Sequence, residues 1–423
     1  MPKNQSKIDA NTVSAPSQYP TPDELVARAR ALVSQLIAEQ AQTEERSFYS
    51  EQMHEAFKEA GFYRMLVPKR FGGYEMDLKS FYRVMTVIAS GCPSTSWQLC
   101  FGASQAKIVG TLFSPETQAR IFGDGHFISP FRPLPTGFAE QTEDGGWKVN
   151  ATFQYCSGSP YATHCMGLTL HKRPDGEVAP LLVVIPRSEW TRLDDWRGSM
   201  GLKGSGSHSI QVTDGYVPRD FVIADKDALE LFRPPEFDPS GAQAKGGAPL
   251  YYGHIVSFIS LQPAALSLGM VKGALELYGE YMRTKKTFNP PVTMRSENWD
   301  YRQWYGSALA KVAMAEAALL QMCDQWTGAA RRHRDGVEEF SNLESTRISA
   351  MSFEIAEMNW NVMQQYCFRT SGTSTVFDGQ RMQRIFRDMC TVRTHGFNTR
   401  VDATIRELAD LSLEGGSDQR NSA

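Results

Sequence analysis

The 423-residue chain lacks most of the short motifs that identify common enzyme classes. No G-x-G-x-x-G pattern follows a strand-like segment, so a Rossmann-type dinucleotide site has no support. The P-loop, H-E-x-x-H and G-x-S-x-G patterns are also missing, and the eight histidines do not occur at metal-ligand spacing. We therefore expect neither a P-loop nucleotide site, nor a metal site, nor a hydrolase-type serine nucleophile.

The chain also lacks charge blocks and paired cysteines. Its formal net charge is −3 without a basic cluster, so nucleic acid is not an expected partner. The seven cysteines are scattered, which favours reduced thiols in a cytoplasmic protein. The N-terminal segment is polar, unlike a signal peptide. The longest apolar region, residues 251–278, contains polar residues and a proline, which indicates a buried helix rather than a membrane span.

The spacing of apolar residues predicts helices, then strands, then helices. Thr21-Pro22-Asp23-Glu24 is a capping box with proline at the first helical position. Gly61 is expected to end a later helix, and alternating residues from Trp147 to Tyr155 predict a half-buried strand. The expected segments are a disordered tail over 1–20, an N-terminal helical domain over 21–123, a central β-domain over 124–225, a loop over 226–249, a C-terminal helical bundle over 250–412 and a tail over 413–423.

The segment 380–395 has an unusual charge pattern. At the helical repeat one face is apolar, comprising Met382, Ile385, Phe386 and Met389. The opposite face is charged, comprising Arg381, Arg384, Arg387 and Asp388. His395 would join the charged face if the helix continued. Such a face fits either a solvated surface or a buried polar seam beside an anionic cofactor.

Five motifs occur in a fixed order over roughly residues 20–410. They are G-F-Y-R-M-L-V-P-K-R-F-G-G-Y at 61–74, G-C-P-S-T-S-W at 91–97, P-T-G-F-A at 135–139 with Y-C-S-G at 155–158, G-L-K-G-S-G-S at 201–207 with V-P at 217–218, and Q-R-I-F-R-D…H at 383–395. Together they resemble the acyl-CoA dehydrogenase superfamily. The resemblance is strongest to its two-component flavin-dependent monooxygenase branch, which includes p-hydroxyphenylacetate hydroxylase oxygenase components and dibenzothiophene monooxygenases.

The resemblance implies an α+β fold with an N-terminal helical domain, a central β-barrel or sandwich and a C-terminal four-helix bundle. It implies the oxygenase component of a two-component enzyme, cytoplasmic and homotetrameric. A separate NAD(P)H:flavin reductase would supply reduced FMN or FAD. Reaction with O₂ through a C4a-hydroperoxyflavin would then hydroxylate a phenolic or polycyclic aromatic substrate.

The resemblance also implies which residues meet the flavin ring. Ser157 would face N5 and O4, where its hydroxyl could accept from N5–H or donate to O4. The same serine could belong to an ordinary turn beside Gly158. Trp97 would lie near the flavin or the substrate ring, although a core tryptophan is an equally good interpretation.

Two further segments are expected to contact flavin. Arg283 and Phe288 lie in R-T-K-K-T-F, which resembles the superfamily motif R-x-x-x-x-F, whose arginine contacts flavin phosphate. Ser371, Gly372 and Thr373 resemble a loop that approaches the flavin of a neighbouring subunit. A solvated helix end and a helix–helix turn would use the same residues.

His395 and Gly396 stand about where acyl-CoA dehydrogenases carry a catalytic Glu, and no carboxylate lies between Asp388 and Asp402. Oxygen insertion is therefore favoured over dehydrogenation, with His395 orienting or deprotonating the substrate at a pKa near neutrality. The helix around Gln105 lacks a His that many phenol-hydroxylating members carry. The alternatives are oxygenation of sulfur or nitrogen, an acyl-CoA dehydrogenase with a base elsewhere, and a non-catalytic scaffold or flavin-storage protein.

Overall fold

The structure is a computed structural model that describes residues 19–123, 125–224, 232–240 and 247–420. Most of the expected tail over 1–20 and much of the expected loop over 226–249 lie outside these residues. Helices, a central sheet and further helices follow one another along the chain. The α+β class and the order of its parts are therefore as expected from the periodicity.

The N-terminal part is helical, and its signals for starting and ending helices act as the sequence predicts. Thr21 and Glu24 form the expected capping box, and Gly61 ends a helix in the left-handed conformation at φ 82°. The helices are α1 Pro22–Ala38, α2 Gln40–Arg46, α3 Glu51–Ala60, α4 Leu78–Gly91, α5 Pro93–Leu112 and α6 Pro115–Phe122. Helix α5 is buried on nearly all sides and carries Trp97 into the interior.

The central part is one mixed sheet. Its strands are β1 Phe131–Arg132, β2 Phe138–Gln141, β3 Trp147–Phe153, β4 His164–Lys172, β5 Val178–Pro186, β6 Thr191–Arg192, β7 Ile210–Val217 and β8 Val222–Ile223. The pairing order is β6-β7-β3-β2-β4-β5-β8, with β1 parallel to β4. Strand β3 alternates buried and exposed residues as predicted, but it ends at Phe153. Tyr155 leaves the expected alternation because its backbone is left-handed, at φ 61°.

The C-terminal helices are α7 Ile255–Thr284, α8 Trp299–Arg334, α9 Asn342–Val362, α10 Arg381–Arg393 and α11 Val401–Arg420. Helix α7 packs against α4, α8, α9 and α10. It is long and apolar enough to cross a membrane, but 83% of its most apolar window is buried in the protein. This burial and an internal Pro263 agree with the predicted core helix.

Two helix ends differ from the expectations. Helix α11 continues to Arg420, whereas the bundle was expected to end at residue 412 because the segment that follows is polar. Helix α10 stops at Arg393 and does not carry His395 onto its charged face. The Asn398 side chain donates to the Val392 carbonyl at 2.7 Å and closes the end of the helix.

Candidate functional site

The charged face of α10 is a half-buried seam that contacts other parts of the protein. Glu44 of α2 lies 3.0 Å from Arg387 Nη2 and 3.5 Å from Arg384 Nε. The other terminal nitrogen of Arg387 donates to the Met200 carbonyl at 2.6 Å. These arginines therefore join α10 to the N-terminal helices and to the loop before β7. The charges of Arg384 and Arg387 thus lie beside the Glu44 carboxylate.

Asp388 lies where the three parts of the fold meet. It is buried, accepts from the Leu202 backbone N–H at 2.6 Å and accepts from the Ser94 hydroxyl at 3.3 Å. Burial raises the pKa of Asp388 to about 7, although both hydrogen bonds act in the opposite direction. Its carboxyl group therefore changes protonation near neutral pH.

Three serine hydroxyls and one indole form a hydrogen-bonded chain at the end of β3. Trp97 Nε1–H donates to Ser157 Oγ at 3.0 Å. The Ser157 and Ser207 hydroxyl oxygens are 2.8 Å apart, and those of Ser207 and Ser205 are 2.7 Å apart. Gly158, at φ 94°, turns the strand toward α5, where a side chain would press on the α5 backbone. The turn thereby positions Ser157 beside Trp97.

The burial of this chain determines the direction of its hydrogen bonds. Ser205 is fully buried, and in the part of the chain that the structure describes its hydroxyl meets only Ser207. If Ser205 donates to Ser207 and Ser207 donates to Ser157, every buried hydroxyl proton has an acceptor. The reverse direction leaves the Ser205 proton unpaired, at a cost of about 1–3 kcal/mol. Ser157 then accepts twice and can only donate toward the half-buried space beside it.

His395 lies in an aromatic cluster. Its ring centre is 5.2 Å from that of Trp97, 6.2 Å from Phe101 and 4.6 Å from Phe397. The Phe397 backbone N–H donates to Nδ1 at 3.4 Å, so the neutral ring carries its proton on Nε2.

The electrostatics of His395 differ from the prediction. Burial, assisted by the charge of Arg132, lowers the pKa of His395 to about 4. The expected pKa near neutrality is therefore wrong for this environment. At neutral pH His395 presents an N–H donor to the site instead of acting as an effective base.

Arg132 is a site residue that the sequence did not reveal. It belongs to β1, its guanidinium carbon lies 5.7 Å from the Tyr155 ring centre, and its charge acts on His395. Among the described residues it forms no ion pair, and its buried Nε has no hydrogen-bond partner. The only signal in the sequence is an arginine after the apolar run F-I-S-P-F, which is too weak to identify a site.

The remaining expected flavin contacts lie elsewhere. Arg283 is exposed at the end of α7, and Phe288 is 94% exposed. The Ser371 carbonyl accepts from buried Arg295 at 3.1 Å. Along the chain, helix α10 lies between the 371–373 loop, which includes Gly372 and Thr373, and His395. Contacts join Trp97, Ser157 and His395 to one another, and no contact among the described residues joins them to the 371–373 loop, Arg283 or Phe288.

Comparison with known proteins identifies the fold and the relatives. Residues 20–120 match the family model "Acyl-CoA dehydrogenase, N-terminal domain", and residues 261–400 match "Acyl-CoA dehydrogenase, C-terminal domain". The chain is 27% identical to the flavin-dependent monooxygenase oxygenase subunit HsaA of Rhodococcus jostii, over 88% of this chain and 94% of that protein. It is 23% identical to the p-hydroxyphenylacetate 3-hydroxylase oxygenase component of Acinetobacter baumannii, over 80% and 77%.

A solved structure shares the architecture. XiaF from a Streptomyces species, determined with FADH₂ and glycerol, superimposes with a TM-score of 0.82 at 21% identity, covering 93% of this chain and 96% of XiaF. The similarity extends over the helical parts and the central sheet. The chain belongs to the acyl-CoA dehydrogenase superfamily, in its flavin-dependent monooxygenase branch.

Proposed function

We propose that this chain is the oxygenase component of a two-component flavin-dependent monooxygenase that hydroxylates an aromatic substrate. The observation that carries this proposal is the pairing of the hydroxyl donor Ser157 with the aromatic cluster around His395. Trp97 belongs to both, since it donates to Ser157 and packs edge-on against His395. Ser157, which could form a hydrogen bond with the edge of a cofactor, therefore lies next to the aromatic cluster around His395, which could contact a substrate ring.

The donor set fits a reduced flavin. The outward Ser157 proton matches the carbonyl edge of the ring, and Arg132 matches the negative charge of the reduced ring or of a substrate. A bound reduced flavin would supply the electrons that activate O₂. Ser157 would hold a proton at the ring edge, and Trp97, Phe101 and Phe397 would exclude water from the reacting atoms.

The acyl-CoA dehydrogenase alternative needs a carboxylate base at the same place. In the described part of the chain no hydrogen bond or ion pair joins a carboxylate to Trp97, Ser157 or His395. Among the described residues, the charged group that acts on His395 is cationic Arg132. This electrostatic environment supports binding an electron-rich aromatic group and does not support abstraction of an α-proton.

The oxygenase would work in the cytoplasm as a homotetramer and receive reduced flavin from a separate NAD(P)H:flavin reductase. Support for assembly comes from large exposed apolar residues around 288–299 and 376–377, which include Phe288, Trp299 and Phe377. Arg295 of the first segment donates to the Ser371 carbonyl, in the 371–373 loop that precedes the second segment. In a tetramer, Arg283, Phe288 and the 371–373 loop would then contact the flavin held by a neighbouring chain.

A single-turnover experiment tests the function. Protein loaded anaerobically with reduced FMN or FAD is mixed with ¹⁸O₂ and indole-3-acetate or 4-hydroxyphenylacetate, and products and peroxide are quantified. We expect one ¹⁸O atom in an aromatic product and less peroxide than free reduced flavin gives. Anaerobic bleaching of bound oxidised flavin by an acyl-CoA would instead identify a dehydrogenase and contradict the proposal.

A matched pair of variants tests the role of Ser157. Ser157→Ala removes the hydroxyl that faces the flavin, so peroxide release should increase at the expense of product. Ser159→Ala removes a nearby buried hydroxyl that donates to the Gly206 carbonyl at 2.9 Å and is outside the chain of serines. Its peroxide yield should match the unmodified protein. Equal behaviour of both variants would show that Ser157 does not act on the flavin.

A further inference from the structure

A continuous series of contacts beside the sheet links five residues. The Arg132 guanidinium lies over Tyr155, whose carbonyl accepts from the Ser157 N–H at 3.0 Å. Ser157 accepts from Trp97, and Trp97 packs against His395. The charge of Arg132 also contributes to lowering the pKa of His395, at the other end of this series of contacts. The series therefore places aromatic rings next to hydrogen-bond donors.

Arg132 and His395 each carry a donor without a partner among the described residues. Arg132 forms no ion pair or hydrogen bond there, and its buried Nε is unpaired. His395 uses Nδ1 as an acceptor for the Phe397 N–H, which leaves Nε2–H as a donor. A site with an uncompensated cation and a second donor binds a neutral ligand less well than an anion.

We propose that Arg132 binds the carboxylate of an aromatic acid and thereby selects the substrate, with His395 Nε2–H as the second donor to the anion. This inference rests on the proposed function, since the aromatic acid is the molecule to be oxygenated. A carboxylate is favoured because its two oxygens match the planar guanidinium fork, whereas a phenolate offers one oxygen. The aromatic ring of the acid packs against the partly exposed rings of Phe101 and Phe397 beside His395.

The stacking of Arg132 on Tyr155 fixes the direction of the guanidinium. The Tyr155 ring is 61% exposed and stands away from the sheet, because the left-handed backbone at this residue ends strand β3. Arg132 Nε is buried against the protein, so the terminal nitrogens are the part of the fork left for a ligand. The arginine is therefore held in place before the ligand arrives, which reduces the entropy lost on binding.

Calorimetric titration of the full chain tests the proposal. Indole-3-acetate is compared with indole-3-acetamide, a neutral molecule of nearly the same shape, first without flavin and then anaerobically with reduced flavin. We expect the acid to bind about ten- to a hundredfold more tightly, as is typical of a hydrogen bond to a charged group. Arg132→Met should remove this preference, and Arg132→Lys should keep part of it because the charge remains.

Arg187→Met is the matched control. Arg187 is also an arginine of the sheet region stacked on an aromatic ring, with its guanidinium carbon 4.1 Å from the Trp190 ring centre. Its removal should leave the preference for the acid unchanged. Equal affinities for acid and amide in the unmodified protein would overturn the proposal, as would a preference that survives in Arg132→Met.

Two further outcomes identify other ligands of Arg132. If Arg132→Met weakens binding of reduced flavin but keeps the preference for the acid, the guanidinium serves the flavin and the proposal is wrong. If 4-nitrophenol at pH 8 binds in an Arg132-dependent way but indole-3-acetate does not, the anion is a phenolate and the carboxylate assignment is wrong. Binding measured without flavin separates these results from the proposed function, which fails only if no oxygen is transferred.

Discussion

Replacing Asp388 by asparagine should change how the stability of the protein depends on pH. The pKa of this carboxyl rises from an ordinary value of 3.8 to about 7 in the folded protein, chiefly because it is buried. Folding therefore favours the protonated form. The resulting stabilisation is complete below pH 3.8 and is lost as the pH rises through about 7.

The magnitude follows from the size of the shift. The difference between 3.8 and about 7 corresponds to about 4 kcal/mol in total. Between these limits the stability should fall by about 1.4 kcal/mol per pH unit. The amide of the Asp388→Asn variant would be neutral at every pH and could still accept from the Leu202 N–H, as protonated Asp388 does. From pH 5 to pH 8 the stability of Asp388→Asn relative to the unmodified protein should thus rise by about 2–3 kcal/mol.

Guanidinium unfolding followed by tryptophan fluorescence at pH 5, 6, 7 and 8 measures this difference. Asp410→Asn is a suitable control. Asp410 is an exposed residue of α11, so this substitution makes the same chemical change at a site that is not buried. The difference between Asp410→Asn and the unmodified protein at each pH gives the baseline for the Asp388→Asn measurement. A difference between Asp388→Asn and the unmodified protein that stays constant from pH 5 to pH 8 would refute a raised pKa at Asp388.

Four further outcomes are expected. Ser207→Ala should weaken binding of reduced flavin several-fold in anaerobic titrations, because one hydrogen bond that orients the site hydroxyl is worth about 0.5–1.5 kcal/mol. Gly201→Ala should lower the stability measured by calorimetry by about 1–3 kcal/mol, because a β-carbon would overlap the Arg387 carbonyl. Burial lowers the pKa of Lys107, so the unmodified protein should lose stability relative to Lys107→Met as the pH falls. With a pKa of about 4, His395 should cause no inflection in the product yield between pH 6 and 8.

The fold was largely predictable because its signals are local. The capping box at Thr21, the left-handed Gly61 and the alternation in β3 each depend on a few adjacent residues, and the structure agrees with them. The order of five motifs identified the superfamily, although each motif alone is weak. The end of β3 was not predictable, because a tyrosine with a left-handed backbone has no local signature.

The properties of the site depend on contacts between residues far apart in the sequence. Ser157 and Trp97 are 60 residues apart, and their hydrogen bond could not be derived from spacing. The low pKa of His395 arises from burial against α5, and the role of Arg132 depends on pairing of β1 with β4. The sequence can therefore indicate which residues belong to the site. Their protonation states and the directions of their hydrogen bonds require the packed structure.

The charged face of α10 shows how the sequence pattern and the packed structure combine. The sequence correctly distinguished two faces, and in the structure arginines of the charged face contact Glu44 and backbone carbonyls. Because α10 is anchored in this way along its length, the position of its C-terminal end is determined, and with it the position of His395 beside Trp97. The arginines and Asp388 thus contribute to the site indirectly, by holding together the helices and the sheet between which it lies.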